Sequence, residues 1–242
     1  MAQPIKFGTD GWRAIIAADF TVANVARVTE ATGIWLKARF DNPTVVLGHD
    51  CRFAGELFME TAAKVLLAQG IQIKMARGFV STPMISLAAN QLGCEIGIIL
   101  TASHNPPSYN GFKLKAKFGG PLEPEKVNEV EALIPDVCRI DFEATDLSAA
   151  LQSGQLEEID IETRYINHVK ANFDLDAIRN SGLKFMYDAM YGAGQRALPL
   201  VLPEVALLHC DHNPSFRGTA PEPIAKNLQE LAQTIQTRGD IS

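Results

Sequence analysis

Apolar residues recur along the chain at two periods, and each change of period marks a boundary between elements. After a glycine-rich opening, Trp12 to Ile16 reads as a short strand. Thr21 is placed to cap a helix running to about Phe40, with Val22, Val25, Thr29, Thr32, Leu36 and Phe40 at helical spacing. Thr44–Gly48 is the next strand. Gly55–Gln69 carries Leu57, Phe58, Thr61, Ala62, Val65 and Leu66 as a helix that Gly70 ends. Ile71–Met75 is a strand, and Thr82-Pro83 opens a short helix with proline at its first position. The run Cys94–Leu100 is apolar throughout and reads as a buried parallel strand. Strand, helix, strand, helix, strand predicts an α/β layered domain.

Period two then takes over. Phe112, Leu114, Ala116 and Phe118 face one way, and Lys113, Lys115 and Lys117 the other. Gly119-Gly120-Pro121 closes this strand, and Glu123–Ile134 is an amphipathic helix. Residues 136 to 158 are polar and mixed, with a break at Ser153-Gly154, so a domain boundary is expected near 150. That divides the chain into 1–150 and 151–242. In the second part a helix is expected from Ile159 to about Phe173, then strands at Leu183–Tyr187 and Val205–His209. A last helix carries Ile224, Leu228, Leu231 and Ile235 on one face. No internal repeat or low-complexity segment interrupts the pattern.

Composition narrows the class only modestly. Of the 242 residues 47% are hydrophobic and 21% charged, enough for a sizeable core. A formal net charge of −6 without a basic block argues against broad nucleic-acid binding. Cys51, Cys94, Cys138 and Cys210 are far apart and form no CxxC pair, so buried free thiols are expected. The opening residues lack an apolar signal core and no apolar run is long enough to span a bilayer. The expectation is a cytoplasmic protein that engages neither membrane nor nucleic acid.

Candidate chemistry centres on Thr101-Ala102-Ser103-His104-Asn105-Pro106. This stretch follows the apolar strand and precedes the turn residues Pro107, Asn110 and Gly111. Open α/β sheets place their ligand sites at such carboxyl ends. Ser103 admits three readings: an ordinary loop residue, a nucleophile activated by histidine, or a carrier of a phosphoryl group. In an extended segment adjacent side chains point to opposite sides, which argues against a relay between Ser103 and His104. A phosphoryl group needs only cations and N–H donors around it.

The loop, followed by Asn110-Gly111-Phe112-Lys113, resembles the phosphoserine loop of the α-D-phosphohexomutases, the phosphoglucomutase/phosphomannomutase family. The opening Phe7-Gly8-Thr9-Asp10-Gly11-Trp12-Arg13 resembles that family's amino-terminal signature. The likeness covers essentially the whole chain. It implies a three-layer α/β/α domain with a mixed, mainly parallel sheet, followed by an incomplete second α/β domain. It also implies reversible transfer of phosphate between O1 and O6 of a hexose, through phospho-Ser103 and a hexose 1,6-bisphosphate. Glucose and mannose phosphates lead as substrates and glucosamine phosphate follows, with glucose 1,6-bisphosphate as activator. By the same resemblance Ser103, His104, Lys113 and Arg13 are catalytic, and Arg13, Lys113, Asn105 and Arg52 bind phosphate. Lys113 or His104 would manage the hydroxyl proton. Read as residues alone, Arg13 is a surface charge, and Lys115 and Lys117 belong to a solvated sheet face. Asp50 and Arg52 brace the site or contact phosphate.

Family members hold Mg2+ on three carboxylates of an Asp-Gly-Asp-type loop together with an oxygen of the phosphoserine. No such loop stands in these 242 residues, so Ser103 is the metal-side group expected here. The chain is therefore expected to be a first domain plus most of a second, and not to turn over sugar alone. Two other clusters compete. Gly192-Ala193-Gly194-Gln195-Arg196-Ala197 fits a dinucleotide fingerprint, with Asp211 downstream. His49-Asp50-Cys51 and His209-Cys210-Asp211-His212 invite a zinc reading, although successive residues converge poorly on one ion. A non-catalytic phosphosugar-binding module and a dinucleotide-binding domain stay open as alternatives, and no oligomer interface is read.

Overall fold

The computed structural model describes residues 4–8 and 11–239. Thr9 and Asp10 of the opening signature, and Asp240 to Ser242, lie outside the described residues.

Six strands form one sheet: β1 Trp12–Ile15, β2 Thr44–His49, β3 Gln72–Ala76, β4 Ile96–Leu100, β5 Tyr109–Ala116 and β6 Leu156–Ile159, in the order β1-β5-β4-β2-β3-β6. From β4 to β6 neighbours run parallel, whereas β5 is antiparallel to both β4 and β1. The sheet is mixed and mainly parallel. Helices cover both faces: α1 Val22–Lys37, α2 Gly55–Ala68, α3 Thr82–Gln91, α4 Pro124–Ala132 and α5 Leu147–Ser153 belong to this unit. Thr21 caps α1 by accepting from the Asn24 N–H at 3.2 Å.

Register sorts the side chains into two layers. Trp12 pairs with Phe112, Phe112 with Leu100, and Ile98 with Leu114 and Leu47. All of these join Val25, Val28, Leu36, Phe58 and Leu66 of α1 and α2 in the main core. The other face carries Val46, Gly48, Ile99, Lys113 and Arg13, and α3 packs its Met84 and Ile85 there. Because this face is covered, Lys115 is buried at 5% exposure and not solvated as its alternation indicates. Its cross-strand partner Gly97 has no side chain, and a β-carbon there would lie 3.3 Å from the Lys115 Cβ. Lys117, beyond the strand's end, is exposed and pairs with Glu95 at 3.6 Å.

The boundary expected near 150 falls inside α5, and the next strand still belongs to the first sheet, since β6 pairs in parallel with β3. Only four residues long, with two glutamates, β6 shows no period of its own. It delays α6, which spans Ile161–Asn172. Ile161 packs into the α3 core, while Ile166 joins Leu175 and Val201, so α6 belongs to both units.

Past α6 come α7 Leu175–Arg179, β7 Met186–Asp188, α8 Ala197–Val201, β8 Ala206–Leu208 and α9 Gln229–Arg238. Strands β7 and β8 form a two-stranded parallel sheet. The last helix begins later than its apolar spacing predicts. Ile224 to Leu228 lie in turns, and α9 buries none of its residues. Of the face that periodicity chose, Ile224 is exposed and Leu228, Leu231 and Ile235 are only half-buried.

Candidate active site

Strand β4 ends at Leu100 and the serine loop begins at once. Thr101 is buried and its N–H donates to Gly111 O at 2.9 Å, closing the loop against the start of β5. Ser103 stands at φ 56°, in the left-handed region, although it has a side chain. Strain of this kind persists only where neighbours over-determine it. Here the Ser103 N–H donates to Thr101 Oγ1 at 3.0 Å, and Thr101 Oγ1 donates to Asp50 Oδ2 at 2.5 Å. The Asn105 N–H closes a turn onto Ala102 O at 3.0 Å.

Arg52 completes the brace. Its Nη1 donates to Pro106 O and Tyr109 O, and its Nη2 to Ser103 O and Asn105 O, four carbonyls at 2.8 to 3.0 Å. The Arg52 N–H also donates to Asp50 Oδ1 at 3.0 Å, and Nε lies 3.3 Å from Asp50 Oδ2, at ion-pair distance without hydrogen-bond alignment. The side chain has no exposed surface. Its terminal N–H groups are committed to loop backbone, so the guanidinium acts as a clamp and not as a phosphate contact. Burial pushes the Asp50 carboxyl up and the Arg52 guanidinium down, each opposed by the other's charge. Arginine keeps its proton throughout, so the carboxylate keeps its counter-charge.

The left-handed turn at Ser103 changes its relation to His104. The two side chains lie on one side, with Ser103 Oγ 3.4 Å from His104 Nδ1. Extended backbone would send the two side chains to opposite sides, and the backbone at Ser103 is not extended. At 3.4 Å the contact is long for a hydrogen bond but within reach of a small rotamer change. Arg13, facing Gly111 across the β1–β5 pair, donates from Nη1 to Asn105 Oδ1 at 2.8 Å. Gly111 admits it: a β-carbon there would lie 3.2 Å from Arg13 Cγ and would collide with Thr101 O. Lys113 is buried two residues further along the same face, packed against Gly11.

The loop opens onto a cleft of about 460 Å³ lined by Asp50, Thr101, Ser103 and His104, by Ser81 and Thr82, and from the second unit by 188–190 and 192–194 with Pro221 and Pro223. Ser103 and His104 thus face it directly. Arg13 lines a separate depression with Lys6 and Asp19, and Asn105, Lys113 and Arg52 do not line the cleft. The sequence assigns Ser81, Thr82 and Asp188 no site role, and places Thr101 in the loop without a role of its own. The signal available for Asp188 was its place at the carboxyl end of a strand.

The facing wall holds the dinucleotide-like stretch. After the three-residue β7, Met190 and Tyr191 take φ 49° and 57°, and the helix that follows has only five residues. A β-carbon on Gly194 would lie 2.5 Å from the Tyr187 hydroxyl, so this glycine serves close packing. The histidine-rich clusters scatter. His49 Nδ1 bonds Asp50 O, His209 lies between Asp188 and Glu230, and His212 stacks edgewise on Phe79. Cys51 donates from Sγ to Tyr191 O at 3.1 Å, and burial pushes its thiol up to about 12. Among the described residues no group of three or more His, Cys, Asp or Glu side chains could hold a metal ion. Nor is any helix among them long and apolar enough to cross a membrane.

Sheet, serine loop and facing unit define an α/β protein with a strained serine at the carboxyl end of its central strand. The chain belongs to the phosphoglucomutase/phosphomannomutase family: the model of that family's alpha/beta/alpha domain I matches residues 4–137, and that of domain II matches 163–241. A phosphoglucomutase/phosphomannomutase from Thermococcus kodakarensis is 31% identical over 96% of this chain and 51% of its own length. A phosphoglucosamine/phosphogalactosamine mutase from Sulfurisphaera tokodaii is 29% identical over 96% of the chain and 50% of its own. The crystal structure of a candidate phosphomannomutase from Thermus thermophilus superposes with a TM-score of 0.87 at 36% identity, covering 97% of this chain and 52% of that one. The chain therefore spans about half the length of the relatives it matches.

Proposed function

We propose that this chain carries the phosphoryl-accepting half of a phosphohexomutase, with Ser103 as the group that is phosphorylated. The observation that carries the reading is the clamped loop. It holds Ser103 at φ 56° on the cleft, with three of its carbonyls and that of Tyr109 at the start of β5 drawn back onto Arg52. Phosphoryl transfer asks mainly for positioning and for nearby positive charge, not for covalent help.

In the forward step Ser103 Oγ attacks a phosphorus of a hexose bisphosphate. The bond from that phosphorus to the sugar oxygen breaks, the new Oγ–P bond forms, and the serine proton passes to His104 Nδ1 and on to the departing sugar oxygen. Arg13, held by the Asn105 side chain and not by loop carbonyls, is a positioned guanidinium beside the loop. The relatives are named for glucose, mannose, glucosamine and galactosamine phosphates, so the substrate class is a hexose or hexosamine phosphate.

Magnesium fits these residues poorly. In the cleft Asp50 is taken up by Thr101 and Arg52, and Asp188 by the Met190 N–H and His209. The described part of the chain is expected to accept phosphate without turning over sugar.

Intact mass and peptide mapping test the reading, before and after incubation with glucose 1,6-bisphosphate and magnesium. The expected result is one phosphoryl group, on Ser103. An unmodified serine in both samples would favour a phosphosugar-binding module without catalysis.

A further inference from the structure

Arg196 lies within the dinucleotide-like stretch, yet its side chain reaches the first unit at Phe79 and the shared helix α6 at Glu162. Its Nη2 donates to Phe79 O at 2.8 Å, and its Nε pairs with Glu162 Oε1 at 3.0 Å. Its guanidinium also lies over the Phe79 ring, 3.8 Å from the centroid. Three elements meet at this one side chain: the turn before α8, the first turn of α6, and the segment between β3 and α3. Ser81 and Thr82, two and three residues past Phe79, line the cleft.

The same joint contains a small apolar cluster of Cys51, Phe79, Tyr191 and Phe216, each from a different segment. Tyr191 O is shared there. It accepts from Cys51 Sγ across the joint at 3.1 Å, and from Gln195 Nε2 within its own turn at 3.3 Å. Gln195 Nε2 also reaches Gly192 O at 2.9 Å, so the turn is tied to itself and Arg196 ties it to the other unit.

We propose that Arg196 is a positioning residue that pins the 188–194 turn to the β3–α3 segment and so fixes the width of the cleft in front of Ser103. A planar guanidinium suits the task, because it stacks and donates through two edges at once. Lysine keeps the charge opposite Glu162 but gives up both the stack and the fork. The consequence for phosphoryl transfer rests on the function proposed above; the pin itself does not.

Cys51 reports on the joint without any sugar. Its thiol is 3% exposed beneath Tyr191, whereas Cys94 is fully buried in the α3 core of the first unit. Labelling with N-ethylmaleimide, resolved by peptide mapping, compares the two sites in the same molecule. In Arg196→Ala, Cys51 is expected to label about tenfold faster, as a local opening equilibrium shifts, with Cys94 unchanged. Arg196→Lys is expected to resemble Arg196→Ala more than wild type. Glu162→Gln, which leaves the stack and the Phe79 carbonyl bond, is expected to stay near wild type. An unchanged Cys51 rate in Arg196→Ala would overturn the pin, and so would a parallel rise at Cys94, which reports loosening of the whole core. Arg196→Ala should also raise the bisphosphate concentration that half-saturates Ser103 labelling. Should wild type take up no phosphate, the transfer reading fails while the Cys51 comparison still decides the pin.

Discussion

Two loops face each other across the cleft, built alike and supported differently. Each leaves the carboxyl end of a parallel strand and turns through left-handed residues with side chains: Ser103 after β4, Met190 and Tyr191 after β7. The first is anchored from beneath by a buried Arg52–Asp50 pair, and its strand has neighbours on both sides. The second rests on the Asp188 carboxylate, one backbone bond to His209 and a strand with a single neighbour. Leu183, Phe185 and Leu207 are exposed around it. Precision belongs to the first loop, and the second borrows its position through the joint.

The strongest test of that asymmetry is chemical. Ser103→Ala should abolish phosphoryl uptake completely, while the protein keeps its unfolding midpoint, because the side chain faces the cleft. Phosphate retained elsewhere in the peptide map would remove the first loop from its proposed role.

Removing the clamp comes next. Arg52→Met leaves Asp50 buried without its counter-charge, and breaking a buried pair in this way costs about 3–5 kcal/mol. The four carbonyls lose their donors together. Urea unfolding should show the loss, and amide exchange should rise first at Ser103 and Asn105. A variant as stable as wild type, with Ser103 still protected, would show that the loop holds its shape without Arg52.

A matched pair of core deletions then compares the sheets. Ile98→Ala empties a fully buried site in the six-stranded sheet and should cost about 2–5 kcal/mol. Leu207→Ala, on a strand of the two-stranded sheet and 46% exposed, should stay within about 0.5 kcal/mol. Equal costs would mean that the second sheet is covered in solution.

The same contrast explains what the sequence made legible. In the first unit β2, α2 and β4 lie within a residue or two of their apolar patterns, although Phe40, Leu57 and Phe118 of the predicted apolar faces are exposed. The short parallel edge strand Leu156-Glu157-Glu158-Ile159 escaped, because its place comes from pairing with β3 and not from its own alternation. Lys115 misled for the opposite reason: alternation gives the face of a residue but not what covers that face. In the second unit Ile224 and Leu228 recur at helical spacing, yet the chain there turns, since a pattern without a partner surface stabilises little. Ser103 was readable from its motif. Asp50 and Arg52 were readable as bracing the site or contacting phosphate, but the choice between the two was not, because Arg52 reaches carbonyls more than fifty residues away in sequence, and only the folded sheet brings them together.

The smallest effect is a pH dependence confined to the first unit. His49 Nδ1 lies 2.6 Å from Asp50 O, and since a carbonyl accepts, Nδ1 carries the proton of a neutral ring. The ring packs beneath the start of α2, where a β-carbon on Gly55 would come within 2.7 Å of Nδ1. Burial pushes its pKa below the ordinary 6.5, against the pull of Asp50 and Glu56. The sign follows from proton counting. As pH falls through 6.5 the unfolded chain takes up a proton that the folded ring resists, so stability drops until the depressed folded pKa is reached. The slope is at most about 1.4 kcal/mol per pH unit for one proton. Unfolding midpoints between pH 7.5 and about 5 should show it, above the range where most carboxylates titrate. His49→Gln keeps an N–H donor for Asp50 O and should flatten the profile. The same slope in that variant would assign the acid sensitivity to another group, and the stiffness beneath the serine loop would then owe nothing to a neutral histidine.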